Sequence, residues 1–391
     1  MTVSPVRPIS AAEAALRVEL APQPGQVLRP AEVAPVVSPQ ASVSDHIALR
    51  TPSTPVADPA APAPADATPE QAVKFAAQTA VVRQAGLAPL LADLAQAMAT
   101  PGLAPTLKAA MAQVLAAQAP LGPAPSALAV RTAIANSGVF LEAHLAAILA
   151  PGPDGSPASG RDIARALGAR LAPGLDAKAT LLALRETLRT WLATQGPPAA
   201  EARPGSVRTP PAPPYLGGPV DGQGPASPTL SLDAPPAVVA QRLLQASDGA
   251  LARQELLQFA SIPDPGRPAG EGPRWMFELP LATPQGPAVA QFEVSRDGGG
   301  QGAQVQPTWR ARFAVDVEPL GPVQAHVALK PGRTSVTLWA ERDATAALLR
   351  DQGAKLSRTL SAADMVAEVA VYAGAPKGRP AETGQFVDQA S

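Results

Sequence analysis

Two acidic residues in a strand-like segment come closest to a catalytic pair in this sequence. Asp316 and Glu318 lie two positions apart, so both carboxylates would share one face of a strand. Carboxylates placed together in this way can act as general acid and base. The wet face of a half-buried sheet gives the same pattern without any catalysis. We favour this second interpretation, and the sequence predicts no catalytic residue.

The other chemically capable side chains do not form a recognisable constellation. Ser335 and Ser357 have no base near them in any nucleophile motif. The three histidines, His46, His144 and His326, are too far apart in sequence to indicate a metal site. We therefore expect neither a bound metal nor an enzyme.

A glycine-rich run follows one strand-like segment, at residues 298–302. It reads GGGQG and lacks the Gly-Lys-Ser/Thr ending of a phosphate-binding loop, and no helix pattern opens after it. A flexible hairpin loop is the better interpretation. No cofactor is predicted.

Composition limits how much of the chain can fold. The 391 residues include 48 prolines and 31 glycines, and aromatic residues make up only 3%. Aromatic side chains supply much of the buried area of large cores, so we expect one or two small cores. Lysine and arginine number 31 against 32 acidic residues, which gives no long-range field for nucleic acid. The chain has no cysteine, which excludes disulfides and thiolate sites.

Neither a secretory signal nor a membrane span is predicted. The first residues lack a charged segment followed by an uninterrupted apolar one. No stretch reaches 18 to 20 apolar residues free of proline and charge. We expect a chain that is made in the cytoplasm and is not inserted into a membrane.

Changes in composition divide the chain into five parts. The fold class predicted is a mostly disordered Pro/Ala-rich chain with an α-helical middle section and a compact C-terminal α+β domain. The segments are 1–68, disordered; 69–195, an Ala/Leu-rich helical region; 196–235, a Pro/Gly-rich linker; 236–375, the α+β domain; and 376–391, a disordered tail.

Apolar spacing predicts helices in the middle section and at the start of the C-terminal domain. One helix is expected from Ser126 to Ala150 and another from Ala179 to Ala193. The second carries Leu181, Leu184, Leu188 and Trp191 on one stripe. A third is expected from Pro235 to Phe259.

Alternation of apolar and polar residues predicts strands after residue 259. They are Trp275–Leu281, Ala288–Val294, Trp309–Val317, Val323–Leu329 and Ser335–Ala340, followed by a helix at Asp343–Leu360 and a last strand at Met365–Tyr372. The segment WRARFAVDV predicts one buried and one wet face. The sequence KPGR at 330–333 suits a type II turn between two strands.

The C-terminal segments together resemble a known family. The stretch FAVDVEPLGPVQAHVALKPGRTSVTLWA, then a Leu-rich helix and the strand VAEVAVYAG, is similar to the C-terminal domain of flagellar hook-length control proteins. Pro319, Leu320, Gly321 and Val323 match a Pro-Leu-Gly-x-Val turn of that domain. The segments NSGVFLEAHL, WMFELPL and QFEVSRDG resemble further elements of some members.

The resemblance implies a non-enzymatic function. Such a protein is exported through the flagellar type III channel, gauges hook length with its extended part, and switches export from hook to filament subunits. The implied partners are the cytoplasmic part of the export gate's membrane component and the hook and hook-cap proteins, bound by a monomer. The alternatives are an adaptor with a Pro-rich spacer and a C-terminal protein-binding module, and a hydrolase with a disordered extension.

Five residues are candidates for contact with a partner: Pro319, Leu320, Gly321, Val323 and Trp339. For Leu320 and Gly321, a core plug and a permitted bend explain the residues equally well. Trp339 lies on the strand face opposite Val336 and Leu338. It either covers a second layer or is an exposed aromatic anchor of the kind that interfaces favour.

Overall fold

A computed structural model describes eight stretches of the chain: residues 68–120, 127–150, 176–195, 210–215, 217–231, 233–262, 271–297 and 308–376. All of them belong to one compact unit, Pro59–Ser391. The segments predicted as disordered, 1–68 and 376–391, lie outside the described residues except for Thr68 and Pro376. The glycine run at 298–302 and His46 lie outside them as well.

The described middle section is helical, as predicted. Its helices are α1 (Pro69–Arg83), α2 (Leu87–Ala97), α3 (Pro105–Ala116), α4 (Ala127–Ala135), α5 (Leu141–Leu149) and α6 (Ala177–Gln195), and α7 (Pro236–Ser261) follows them. A capping box at Thr68 starts α1: the Thr68 hydroxyl accepts from the Gln71 amide, and the Gln71 side chain accepts from the Thr68 amide. The predicted stripe on α6 is confirmed, because Leu181, Leu184 and Leu188 are fully buried.

The prediction of one helix from Ser126 to Ala150 is wrong. The helix breaks between Ala135 and Leu141, and Gly138 there has a φ of 95°. A Cβ at Gly138 would come within 2.8 Å of the Lys178 Cβ on α6. Close approach of α6 therefore requires a glycine in left-handed backbone, which interrupts the apolar periodicity that the sequence presents.

In the described stretches of the chain, seven strands form one sheet in chain order, β1 to β7. They are β1 (Ala119–Pro120), β2 (Glu271–Thr283), β3 (Gly286–Asp297), β4 (Trp309–Val317), β5 (Gly321–Lys330), β6 (Arg333–Ala340) and β7 (Val366–Ala373), with helix α8 (Asp343–Ser361) between the last two. Strands β2 to β6 are antiparallel neighbours, whereas β1 and β7 pair in parallel with β2 and β6. The parallel pairing of β6 and β7 is possible because α8 carries the chain back across the sheet.

Each predicted strand and the predicted helix before the last strand are confirmed; β4 has the predicted ends, and the other elements are shifted at one or both ends. The β5–β6 hairpin turns at Pro331 and Gly332, and Gly332 has the positive φ, 72°, that a type II turn needs at that position. Three phenylalanines stack across the apolar face, Phe277 on Phe292 at 5.2 Å and Phe292 on Phe313 at 5.3 Å between ring centroids.

The prediction of one buried and one wet face for β4 needs correction. Ala314, assigned to the wet face, is buried, whereas Phe313 on the apolar face is only half-buried. Residues 217–224 run over the polar face of β4, the face that carries Arg312. The Arg312 guanidinium donates to the Gly218 carbonyl at 3.1 Å, and a Cβ at Gly222 would meet the β4 backbone at 3.0 Å.

The largest core is shared by helices and sheet. It joins buried leucines of α2, α3, α6 and α7 to Val289 of β3 and to Leu230 in the region predicted as a linker. Asp93 of α2 fixes that region, since its carboxylate accepts from the Thr229 amide at 2.5 Å and from the Thr229 hydroxyl at 2.8 Å. Gln223 forms an isolated antiparallel bridge with Val289. Part of the Pro/Gly-rich region is therefore built into the fold by specific contacts.

A buried group that we name the Arg253 hub ties these parts together. Arg253 of α7 is 2% exposed and Glu278 of β2 is 4% exposed. The guanidinium donates to the Glu278 carboxylate at 3.0 Å, to the Gln84 side-chain carbonyl at 3.1 Å and to the Ala212 carbonyl at 2.5 Å. Gln223 also donates to Glu278, at 3.2 Å. The hub thus joins α7, β2, the end of α1 and the 210–223 region.

Candidate functional site

Four of the five predicted contact residues lie at the turn between β4 and β5. The turn consists of Glu318, Pro319 and Leu320, and the peptide bond between Glu318 and Pro319 is cis. Gly321 opens β5 with a φ of 70°, in the left-handed region that glycine adopts without steric cost. Val323 follows on the apolar face of β5 and is buried.

The start of α8 clamps this turn. Arg342, the residue before α8, donates to both carboxylate oxygens of Glu318 at 2.6 Å and to the Pro319 carbonyl at 2.8 Å. The Thr345 hydroxyl donates to the Leu320 carbonyl at 2.7 Å. A side chain at Gly321 would overlap the Arg342 guanidinium, so any larger residue here would displace Arg342 as well as strain the left-handed backbone. The clamp fixes the turn against the helix that leads to β7.

The side chains of the turn divide between core and surface. Leu320 is half-buried and packs against two core clusters, one containing Leu281 and Val317 and the other containing Val323 and Ala346. Packing therefore accounts for Leu320. Pro319 and Glu318 are exposed, so a partner could reach both without rearrangement, and Pro319 is the one of these two that was predicted as a contact residue.

Charges at the turn are organised by Arg342. Its hydrogen bond holds the pKa of Glu318 below the usual value, and the same bond raises the pKa of Arg342. Burial raises the pKa of Asp316, and the neighbouring Glu318 adds to this effect against the opposing charge of Arg342. Asp316 lies at the end of β4 and Glu318 lies beyond it, bound to arginine. The two carboxylates therefore do not share a strand face.

The fifth predicted residue, Trp339, is separate from the turn. It lies on the polar face of β6, beside Gln324 of β5 and Tyr372 of β7 in the strand register. Its ring contacts His326 edge-on, with 4.5 Å between the ring centroids, and stacks on Tyr372, with 6.0 Å between the ring centroids. Trp339 is half-buried and Tyr372 is 54% exposed. We name His326, Trp339 and Tyr372 the aromatic row.

The sequence analysis missed Arg342, Thr345 and two members of the aromatic row. The alternation of β5 and β6 would have placed His326 and Trp339 on one face, but nothing in the sequence aligns the two strands with β7. Burial lowers the pKa of His326, with a further contribution from the Arg312 charge. The row therefore contains a histidine that favours its neutral form.

The other chemically capable residues have structural contacts or stay apart. The Ser357 hydroxyl donates to the Ala367 carbonyl at 3.3 Å, whereas Ser335 is exposed on β6. Among the described residues, no cluster of three or more histidine or acidic side chains could hold a metal ion. In the same residues, no helix is long and apolar enough to cross a bilayer.

The region that contains the turn and the aromatic row defines the class of this domain. Residues 297–379, from the end of β3 past β7, match a family model described as "Flagellar hook-length control protein FliK". The C-terminal part of the chain is thus a domain of the hook-length control class. The resemblance seen in the sequence is confirmed, and through this domain the chain is similar to the FliK family. No curated protein and no solved structure matches the chain.

Proposed function

We propose that the protein is a flagellar hook-length control protein that is exported through the flagellar type III apparatus and has no enzymatic activity. The observation that carries this proposal is the family match over residues 297–379. The match contains the clamped turn at Pro319 and most of the sheet on which Trp339 and Tyr372 lie.

The mechanism we propose is a contact switch. The C-terminal domain binds the cytoplasmic part of the export gate's membrane component, which ends the export of hook subunits and begins the export of filament subunits. Two observations support a binding surface on this domain: the exposed Pro319 on a turn held rigid by Arg342, and the partly exposed aromatic row. Rigid, half-buried aromatic side chains lose little entropy on binding and are frequent at interfaces.

The remaining proposals concern length sensing and other partners. The Pro-rich segment 1–68 would gauge the hook, because polyproline chain extends by about 3.1 Å per residue. The chain would act as a monomer, would meet the hook and hook-cap proteins in the channel, and would leave the cytoplasm by that route. A balance of 31 basic and 32 acidic residues gives no support for nucleic acid as a partner.

Deletion of the gene tests the function. Electron microscopy of the deletion strain should find overlong hooks with few filaments, and the full chain supplied from a plasmid should restore normal lengths. A chain that ends at residue 235 should be exported without restoring the switch. Hooks of normal length in the deletion strain would contradict the proposal.

An insertion tests length sensing by segment 1–68 separately from the export switch. Thirty residues of repeated Ala-Pro-Ser sequence placed near residue 60 should lengthen the hook by up to about 90 Å. A control variant with the residues at 45–65 scrambled, at unchanged length, should leave the hook length unchanged. An unchanged hook length after the insertion would contradict length sensing by segment 1–68 and would not contradict the contact switch.

A further inference from the structure

Strand β7 forms one edge of the sheet. The strand order ends at β7, and within the described stretches of chain no strand pairs with its outer side. The Gly374 amide donates to the Ala340 carbonyl of β6 at 2.8 Å. Backbone groups alternate in direction along a strand, so Val369, Val371 and Ala373 direct their N–H and C=O groups away from β6. A strand laid alongside would find a row of donors and acceptors.

This edge has few of the sequence features that usually prevent a further strand from pairing with the edge of a sheet. Its eight residues, VAEVAVYA, include no proline, glycine or lysine and no bulge in the pairing with β6. The one charged side chain, Glu368, points to the polar face and lies 3.5 Å from Arg333. The strand therefore has no bulge, and none of its own side chains places a charge on its α8 side.

A groove runs between this edge and α8. It has a cavity volume of about 270 Å³ and is lined by Arg350, Gly353, Ala354, Ser357, Val369 and Val371. The small residues of the helix leave the space open, since even a Cβ at Gly353 would come no closer than 3.9 Å to Val369. The volume is below the range of about 300–1,000 Å³ for small-molecule sites and suits one or two inserted side chains.

Apolar area remains uncovered on both sides of the edge. Val366 is 69% exposed and Tyr372 is 54% exposed on the polar face, and Val369 and Val371 are half-buried on the α8 side. Of the 19 residues of α8, only Thr345 and Ala346 are buried. A strand added to β7 would cover part of both surfaces.

We propose that the β7 edge and the α8 groove form a strand-addition site for an extended segment of a protein partner. Only an extended backbone matches the alternating donors and acceptors, and apolar side chains at every second position of the segment would enter the groove. The partner is the cytoplasmic part of the export gate's membrane component, and this identity rests on the proposed function.

The size of the site favours an extended segment over a second copy of this chain. Eight residues span about 26 Å, and a sheet edge about 10 Å deep would bury roughly 500 Å² in total on both partners. Stable dimers bury at least about 1,200 Å². A contact of this size suits the transient docking of one segment.

Two substitutions in the full-length chain test the site. Ala354→Glu places a charge in the groove, and Ala373→Pro removes an outward N–H while leaving the pairing with β6 intact. Gln352→Glu adds the same charge elsewhere on α8 and serves as the control. The probe is the purified cytoplasmic part of the gate component, with affinity measured by calorimetry and backbone protection by hydrogen exchange. Circular dichroism melts verify that each variant is folded.

The expected result is at least about a tenfold weaker Kd for Ala354→Glu and Ala373→Pro, with Gln352→Glu unchanged. In the unmodified chain, the amides of Val369, Val371 and Ala373 should gain protection when the probe binds. Equal affinity of all variants, or no protection of β7, would overturn the site, as would no binding by the unmodified chain. Enhanced binding by a chain that ends at residue 376 would point to its own tail as the occupant and would also overturn it. The hook lengths measured in the deletion strain test the proposed function independently of this strand-addition site.

Discussion

Removing the charge at the centre of the Arg253 hub should destabilise the whole compact unit. The change is Arg253→Met, which keeps much of the side-chain volume and removes every hydrogen bond of the guanidinium. Among the described residues, Glu278, 4% exposed, would then keep only the side-chain amide of Gln223 as a donor. Its second carboxylate oxygen already has no partner. The variant therefore leaves a nearly uncompensated charge in the core.

The magnitude follows from the burial of both partners. Breaking one side of a buried ion pair costs about 3–5 kcal/mol of the free energy of unfolding. The double variant, Arg253→Met with Glu278→Leu, removes both charges and should lose only about 1–3 kcal/mol, because Gln84 and the Ala212 carbonyl still lose a donor. The double variant should therefore be more stable than the single one. A folded unit has about 5–15 kcal/mol in total, so the difference is large.

Urea denaturation of the full chain measures both variants. Tryptophan fluorescence follows mainly the sheet, because three of the four tryptophans lie on β2, β4 and β6 and one lies on α6. Far-ultraviolet circular dichroism follows the helices, and the hub predicts that both signals shift together. Lys355→Met, on the surface of α8, is the control for the loss of a cation and should change stability by no more than about 0.5 kcal/mol. A loss below about 1 kcal/mol for Arg253→Met, or a double variant less stable than the single one, would contradict a buried ion pair between Arg253 and Glu278.

Three further predictions concern the C-terminal domain. Gly321→Ala and Gly332→Ala should each lower the free energy of unfolding by about 1–2 kcal/mol, because alanine is strained in left-handed backbone. Only Gly321→Ala should show a further, salt-sensitive loss, because its new methyl group displaces Arg342. Equal salt dependence of the two variants in urea titrations would contradict the clamp. The folded-state pKa of His326 lies below its ordinary 6.5, so the unfolded chain takes up the proton first and stability should fall as pH drops below about 6.5; His326→Gln should reduce the difference between melting temperatures at pH 7.5 and 5.5. Gly353→Ala should raise the free energy of unfolding by about 0.5–1 kcal/mol, because the helix gains propensity and the groove has room for a methyl group; a lower melting temperature would contradict the open groove.

Local patterns predicted the elements of this fold well. Alternation in WRARFAVDV located β4, and the Pro-Gly pair at 331–332 located the hairpin, because both signals depend on residues that are neighbours in the chain. The leucine stripe of α6 likewise predicted which side chains are buried. In each case, the physics that fixes the structure acts over a few residues.

Features that depend on distant parts of the chain could not be predicted in this way. Arg253 and Glu278 look like surface charges on a helix and a strand, and only the packing of α7 on β2 buries them together. Gly138 interrupts a helix because α6 passes close to it. The site shows the same division: the Pro-Leu-Gly turn was visible in the sequence, whereas its clamp by Arg342 depends on where α8 begins.

The sheet order also has a consequence for the timing of assembly. Strands β2 to β6 are neighbours in chain order, whereas the chain must pass through α8 before it reaches β7 beside β6. Until the ribosome has passed Ala373, β6 is the edge of the sheet, and Trp339 lacks the Tyr372 ring on which it stacks. The β7 edge therefore exists only on a chain synthesised through its last strand, so a truncated chain does not present this surface.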